Sequence, residues 1–249
     1  MQKRLTSISL VFPAFNEELN IEAAVETARR VLRKYSDVYE IIVVNDGSAD
    51  RTGEIINRLA REDSAVVALH HVRNLGYGAT LGLGLKKARH DFVFFSDSDL
   101  QFNLEEIGLL IEWIDSYPIV IGYRANRADP WHRRLNAWGW NRVVRLLLGV
   151  RVRDIDCAFK LFHRKVLDQM HITAAGAMVN TEILAQAARR HLKIKELPVS
   201  HFPRLKGTQT GANLRVIIRA FAELFRMRNR LKNGEYATPI QLGATEYPR

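Results

Sequence analysis

The chain has 249 residues, 47% of them apolar, a formal net charge of +10 and a single cysteine, Cys157. That apolar content is enough to bury a substantial core, which excludes a chain disordered throughout, and a lone cysteine excludes an internal disulfide framework, so a reducing, cytoplasmic setting is expected. No uninterrupted apolar run reaches the roughly 18 residues of a bilayer-crossing helix, no secretion-signal order opens the chain, and the positive charge calls for an anionic partner.

In chain order, short apolar and β-branched runs occur at Ile8 to Phe12, Ile41 to Val44, Val66 to Leu69, Phe92 to Phe95 and Ile119 to Ile121. They lack the alternation of a sheet wetted on one face and predict buried strands. Between the first two, Ile21, Val25, Ala28 and Leu32 mark one apolar helix face. Another helix is expected from near Arg51, and Gly78 to Ala88 and Leu104 to Ile114 read as further helices. The alternation predicts an α/β fold with a mostly parallel central sheet and helices on both faces, whose ligand site lies at the carboxyl ends of the strands. Beyond Arg124 come long basic helical stretches, roughly 130–148 and 211–231, around "DIDCAFK", a helix near 181–190 and "IKELPVSHF". The expectation is one domain over 1–232, with a ligand-binding half over 5–125 and a second half over 126–232, then a loosely ordered polar tail over 233–249.

Three strand ends carry polar clusters: "PAFNE" (Pro13 to Glu17), "NDGSAD" (Asn45 to Asp50) and "SDSDLQ" (Ser96 to Gln101). Carboxylates two residues apart on extended backbone project to one side, so Asp97 and Asp99 converge and repel unless a cation lies between them. Mg²⁺ or Mn²⁺ accepts such a pair together with phosphate oxygens, which makes this a metal and diphosphate site. Each cluster alone also has a plainer reading: solvated acids and helix caps at 97 and 99, Asp-Gly-Ser turn chemistry with Asp50 as a cap, and Asn16 as the cap of the first helix. Only their combination at one sheet edge is specific. "GYGATLGLG" lacks the glycine spacing of a dinucleotide loop and reads as close helix packing.

In order, "VFPAFNEE", "VVNDGSADRT", "NLGYGATLGLG", "FSDSDLQ", "IGYR" and "DIDCAFKLFHRKVL" resemble the motif series of family 2 glycosyltransferases with the GT-A fold. The resemblance runs from about Ile8 to Leu231 and is nearest to the dolichyl-phosphate mannosyltransferase-like, polyprenyl-phosphate branch. It implies that Asp97 and Asp99 bind Mg²⁺ or Mn²⁺ and that Pro13, Phe15, Glu17, Val44, Asp46 and Ser98 hold the donor nucleotide. It further implies that Gln101 closes the metal motif, that Arg124 and Arg204 contact donor or acceptor phosphate, that Lys160 stands where an arginine is common, and that Glu182 faces the sugar. Departures are Asn45 for the first aspartate of the commoner "DDGS", Cys157 for a glycine, and Thr210 for a lysine, which counts against GDP-mannose as donor.

The implied reaction moves a sugar from a GDP- or UDP-linked donor to a polyprenyl phosphate with inversion. The acceptor phosphate is already largely ionised, with a second pKa of about 6, and needs positioning more than deprotonation. "WHRRLNAWGWNRVVRLLLG" sets tryptophans beside arginines, and Leu214, Ile217, Ile218, Phe221 and Phe225 form a stripe flanked by arginines. Both segments suit a membrane surface, with Arg133 and Arg134 receiving the lipid phosphate. Each stripe facing the core is the plainer reading. Expected partners are therefore the sugar nucleotide, the lipid phosphate, the cytoplasmic membrane face and a possible membrane-embedded subunit. Two rivals remain: a family 2 enzyme with a saccharide hydroxyl acceptor, for which Asp154 or Asp156 would be the base, and a nucleic-acid binder. The binder leaves the strand-end acids unexplained, since they repel phosphate.

Overall fold

The structure, a computed structural model, describes residues 3–125, 131–204 and 214–235, with the backbone alone for 131–137 and 214–221. The five expected strands form as β1 (Ile8–Ala14), β2 (Tyr39–Asn45), β3 (Val66–His70), β4 (Phe92–Ser96) and β5 (Ile119–Arg124). Between them run α1 (Ile21–Tyr35), α2 (Thr52–Glu62), α3 (Tyr77–Lys87) and α4 (Ile107–Ile111). The apolar stripe of α1 is buried from Ile21 to Tyr35, with Glu22 in its first turn and Arg33 and Lys34 in its last, charges that suit the helix dipole. The helix expected over 104–114 is shorter: a 3₁₀ turn (Leu104–Glu106) leads into α4, and turns closed by Ser116 and Tyr117 on Trp113 O follow it.

Residues beyond β5 add α5 (Trp131–Leu148), β6 (Phe159–His163), α6 (Arg164–Leu167), α7 (Val179–Arg189), β7 (Ile194–Val199) and α8 (Leu214–Lys232). Two strands thus come from segments not read as strands in the sequence. β6 carries Lys160 in the middle of its apolar run, and β7 carries Pro198, which a ladder tolerates at a sheet edge. The single sheet has the order β3-β2-β1-β4-β6-β5-β7, with β6 antiparallel to both neighbours and every other pairing parallel.

This topology decides where the chemistry lies. Ala14 pairs with Asn45, Val11 with Phe95, and Ser96 with Phe159 at the start of the reversed strand. The ends of β1, β2, β4 and β5 and the residues leading into β6 therefore share one edge, at the crevice where parallel α/β sheets bind ligands. All seven residues of β1 are buried, as a strand covered on both faces requires. α1 beside α2, and α3 beside α7, pack on β1 and β2. The expected tail over 233–249 lies outside the described residues from 236 onward.

Gly84 is where α3 meets the sheet: a methyl group there would overlap Val11 Cγ1 and crowd Val44. Gly84→Ala is expected to lower unfolding free energy by about 1–3 kcal/mol, because both valines are buried and branched and the core cannot open cheaply. Urea denaturation of the two proteins checks this.

Candidate active site

The loops after β1 and β2 are clasped together. Asn16, at φ 55°, donates its N–H to Ser48 Oγ (2.9 Å) and accepts from Ala49 N–H (2.9 Å). Glu17 N–H reaches Thr52 Oγ1 (2.8 Å), and Glu18 N–H reaches Asp50 Oδ2 (3.1 Å). Asp50 caps α2 through Thr52 N–H (3.0 Å) and its hydroxyl (2.6 Å), so this stretch carries out its turn chemistry in full. Gly47, at φ 66°, must be glycine, since a side chain would meet the backbone of Arg73 and Asn74.

Asp46, expected among the residues that hold the donor nucleotide, is engaged within the protein. Its carboxylate is buried and accepts from Leu75 N–H, Gly76 N–H and His71 Nδ1, each at 2.9 Å. It anchors the β3–α3 loop, and a buried carboxylate with that many donors has little left for a ligand. Val44 is likewise buried within β2, Pro13 is buried, and Phe15 stands 37% exposed beyond β1.

The tip of β4 carries the acid pair. Ser98 is buried and donates to Pro13 O (2.9 Å), joining the β1 and β4 tips. Asp97 and Asp99 remain half-buried on either side of it. Asp97 Oδ1 accepts from the Tyr77 hydroxyl (3.1 Å), and Asp99 Oδ1 accepts from Gln101 N–H (3.1 Å) across Leu100, whose φ is 62°. Burial, then the charge of Asp99, pushes the Asp97 carboxyl up to about 7; burial also raises Asp99.

One cation reaches across. Arg204 pairs with Glu17 Oε1 (2.6 Å) and lies 3.6 Å from Asp99 Oδ2, while Asn20 holds the other Glu17 oxygen (2.8 Å). Gln101 makes this possible: it exchanges main-chain and side-chain bonds with Phe202 (2.8 and 2.9 Å) and so stitches the segment before Arg204 to the β4 tip.

Three residues that the motifs assign to phosphate or sugar are engaged elsewhere. Arg124 forks onto buried Asp154 (2.7 and 2.8 Å); burial opposes its charge, but those hydrogen bonds and the surrounding negative charges together outweigh it and hold its pKa above the usual value. Lys160 is fully buried and donates to Ile155 O (3.1 Å), Asn180 Oδ1 (2.9 Å) and Cys157 O, all three of its donors being spent. Glu182 is buried and accepts from Thr173 N–H (2.7 Å), Thr173 Oγ1 (2.6 Å) and Ala174 N–H (2.8 Å), which ties down the loop before α7. In each case a buried charge found protein partners, because an unpaired one costs too much. The side chains of Arg133 and Arg134, and Thr210 altogether, lie outside the described residues.

One residue at the site, Tyr77, looks in the sequence like an ordinary helix start. Asp156, a candidate base of the rival reading, is exposed within electrostatic reach of Tyr77, Lys160 and Arg124. Among the described residues no three His, Cys, Asp or Glu side chains surround one point. An ion at Asp97 and Asp99 would have these two as its carboxylate ligands among the described residues. The hard, like-charged oxygen pair fits Mg²⁺ or Mn²⁺, which accept one or two carboxylates together with phosphate oxygens.

Comparison with known proteins agrees with this geometry. Residues 9–170 match the family Glycosyl transferase family 2, and the chain belongs to that family. It is 32% identical over 209 residues to the glycosyltransferase AglD of Haloferax volcanii, covering 79% of this chain and 33% of that protein. It is 31% identical over 216 residues to the undecaprenyl-phosphate 4-deoxy-4-formamido-L-arabinose transferase of Pectobacterium carotovorum, covering 86% of this chain and 65% of that one. The chain thus spans from 33% to 65% of the length of these relatives. Crystal structures of glucosyl-3-phosphoglycerate synthase from Mycobacterium tuberculosis share the fold. The complex with phosphoglyceric acid has a TM-score of 0.66 at 23% identity, covering 90% of this chain and 80% of that one. The complex with Mn²⁺, UDP-glucose and phosphoglyceric acid has a TM-score of 0.66 at 21% identity, with 90% and 80% coverage. The α/β fold is of the GT-A type.

The raised Asp97 carboxyl makes a stability prediction. Its folded pKa of about 7 lies above the ordinary 3.8, so ionising it costs the fold a penalty that grows as pH rises from 3.8 to about 7 and is complete above. Asp97→Asn is therefore expected to stabilise the metal-free protein at pH 8 by about 1–2 kcal/mol and to change little at pH 4. Thermal denaturation in a chelator at the two pH values checks the sign.

Proposed function

We propose that this chain transfers a sugar from a nucleoside diphosphate sugar, UDP- or GDP-linked, to a polyprenyl phosphate, with a divalent cation at Asp97 and Asp99. The observation that carries the reading is the acid pair itself: two half-buried carboxylates at the strand edge, one of them raised to about 7, an arrangement that pays only when a cation arrives. The relatives named for undecaprenyl-phosphate sugar transfer support the acceptor class. The fold neighbours crystallised with UDP and Mn²⁺ or Mg²⁺ support the donor and the ion.

A divalent ion bound at this pair supplies charge neutralisation to the departing diphosphate. Arg204, bridging Glu17 and Asp99, is a fork already at the place where phosphate oxygens would lie, and planar guanidinium grips such oxygens in two places. Phe15, half exposed at the end of β1, offers a face for the base. Ser98 and Gln101 act through others, holding the β1 tip and the Arg204 segment in register with the acids. The lipid phosphate attacks as the anion it already is, so the reading needs no general base. One observation favours a second reading, a saccharide hydroxyl as acceptor: exposed Asp156 acts electrostatically on Tyr77, the partner of Asp97, and is a carboxylate open to serve as base.

A lipid acceptor calls for a membrane surface, and α5 supports one. It buries Val144 and Leu148 and packs with α8, which buries Leu224, Met227 and Leu231. Outward it turns Trp138 and Leu146, 59% and 79% exposed, with Arg142 over the Trp138 ring and Arg145 beside Leu146; Phe225 and Arg226 are exposed on α8. Aromatic, aliphatic and cationic groups side by side suit the headgroup layer. Among the described residues no helix is long and apolar enough to cross a membrane, so the contact is peripheral in this reading.

The test is to incubate the purified protein with Mn²⁺, a panel of UDP- and GDP-sugars and a polyprenyl phosphate in detergent, and to look for sugar in the organic extract. Sugar transferred only to water-soluble saccharide acceptors would favour the second reading. Asp99→Asn is expected to remain folded by circular dichroism and to lose at least about a hundredfold in turnover, since electrostatic stabilisation of a leaving group is commonly worth that much. Arg142→Gln with Arg145→Gln is expected to weaken binding to anionic vesicles roughly tenfold or more, at about 1 kcal/mol for each arginine near the surface, as read by co-sedimentation.

A further inference from the structure

The Asp97 carboxylate of the acid pair is held from behind by a half-buried tyrosine. Tyr77 opens α3 next to Gly76, whose φ is 100°. Gly78 and Ala79 N–H groups both donate to Ala175 O (2.8 and 3.1 Å), and a side chain at Gly78 would overlap Ala174 O. The start of α3 is thereby locked to the loop that leads into α7, and the Tyr77 hydroxyl is delivered to Asp97 Oδ1 at 3.1 Å.

Behind this loop, Lys160 on the reversed strand donates to Asn180 Oδ1 of α7 (2.9 Å), to Ile155 O (3.1 Å) and to Cys157 O, so the start of α7 is held to the sheet as well.

We propose that Tyr77, delivered by the anchored start of α3, is the positioning residue of the metal site: it holds Oδ1 of Asp97 and so presents Oδ2 to the ion. Outer partners of a metal-binding carboxylate act in this manner, fixing its rotamer so that binding does not have to. The inference rests on the reading of Asp97 and Asp99 as the metal pair.

The test is a titration of Mn²⁺ into protein saturated with UDP or, in parallel, GDP, following free Mn²⁺ by electron paramagnetic resonance, with nucleotide affinity measured separately in chelator. Tyr77→Phe is expected to weaken Mn²⁺ binding roughly tenfold and to leave metal-free nucleotide affinity unchanged. Circular dichroism is expected to show Tyr77→Phe folded as the wild type, since only a hydroxyl is removed. Unchanged Mn²⁺ affinity in Tyr77→Phe, or an equal loss of metal-free nucleotide affinity, would overturn the proposal while the metal reading stands. No Mn²⁺ binding by the wild type, or binding that survives Asp99→Asn, would bring down the metal reading and this inference with it.

Discussion

Two carboxylates one residue apart at the end of a buried strand repel each other where water screens poorly, and the neighbourhood of β4 is arranged around that repulsion. Burial first and the charge of Asp99 second raise the Asp97 carboxyl to about 7, while Asp99 lies 3.6 Å from Arg204. Ser98, between them, is turned inward to Pro13 O, so the backbone cannot relax and let the acids part. The site stores unfavourable electrostatics in the unliganded state, and a cation bound there would relieve them. Functional carboxylates are commonly kept this way, at some expense to stability.

The strand order makes such a site available. β6 runs antiparallel between β4 and β5, and its entry segment, residues 154–158, arrives at the same edge as the tips of β1, β2 and β4. Charged residues delivered there were free to pair with one another. Asp154 took Arg124, and Lys160 turned inward to Asn180 and the main chain. Buried polar groups paired in this way stiffen the frame around a site.

Much of this was legible in the residues. Five strands could be read as uninterrupted apolar runs, because strands covered on both faces have no reason to alternate, and α1, α3 and α7 followed from spacing and composition. The polar strand ends pointed to one edge of the sheet, and the ordered motifs pointed to the family. β6 and β7 were harder to see. Lys160 looks like a surface residue until the fold supplies three acceptors for its ammonium, and Pro198 argues against a strand until the sheet order places β7 at the edge.

What the amino-acid order determined by itself was the local chemistry: where strands begin and end, which tips carry acids, and which turn needs glycine at 47. Those follow from backbone sterics and from short-range hydrogen bonds, which need no distant partner. Which charged side chains meet a ligand and which meet each other was decided by the tertiary structure alone. Arg124 and Asp154, Lys160 and Asn180, Tyr77 and Asp97 are pairs 20 or more residues apart, and only the sheet order sets their distance. A buried charge takes whichever partner the fold brings within reach, and no spacing in the sequence encodes that choice.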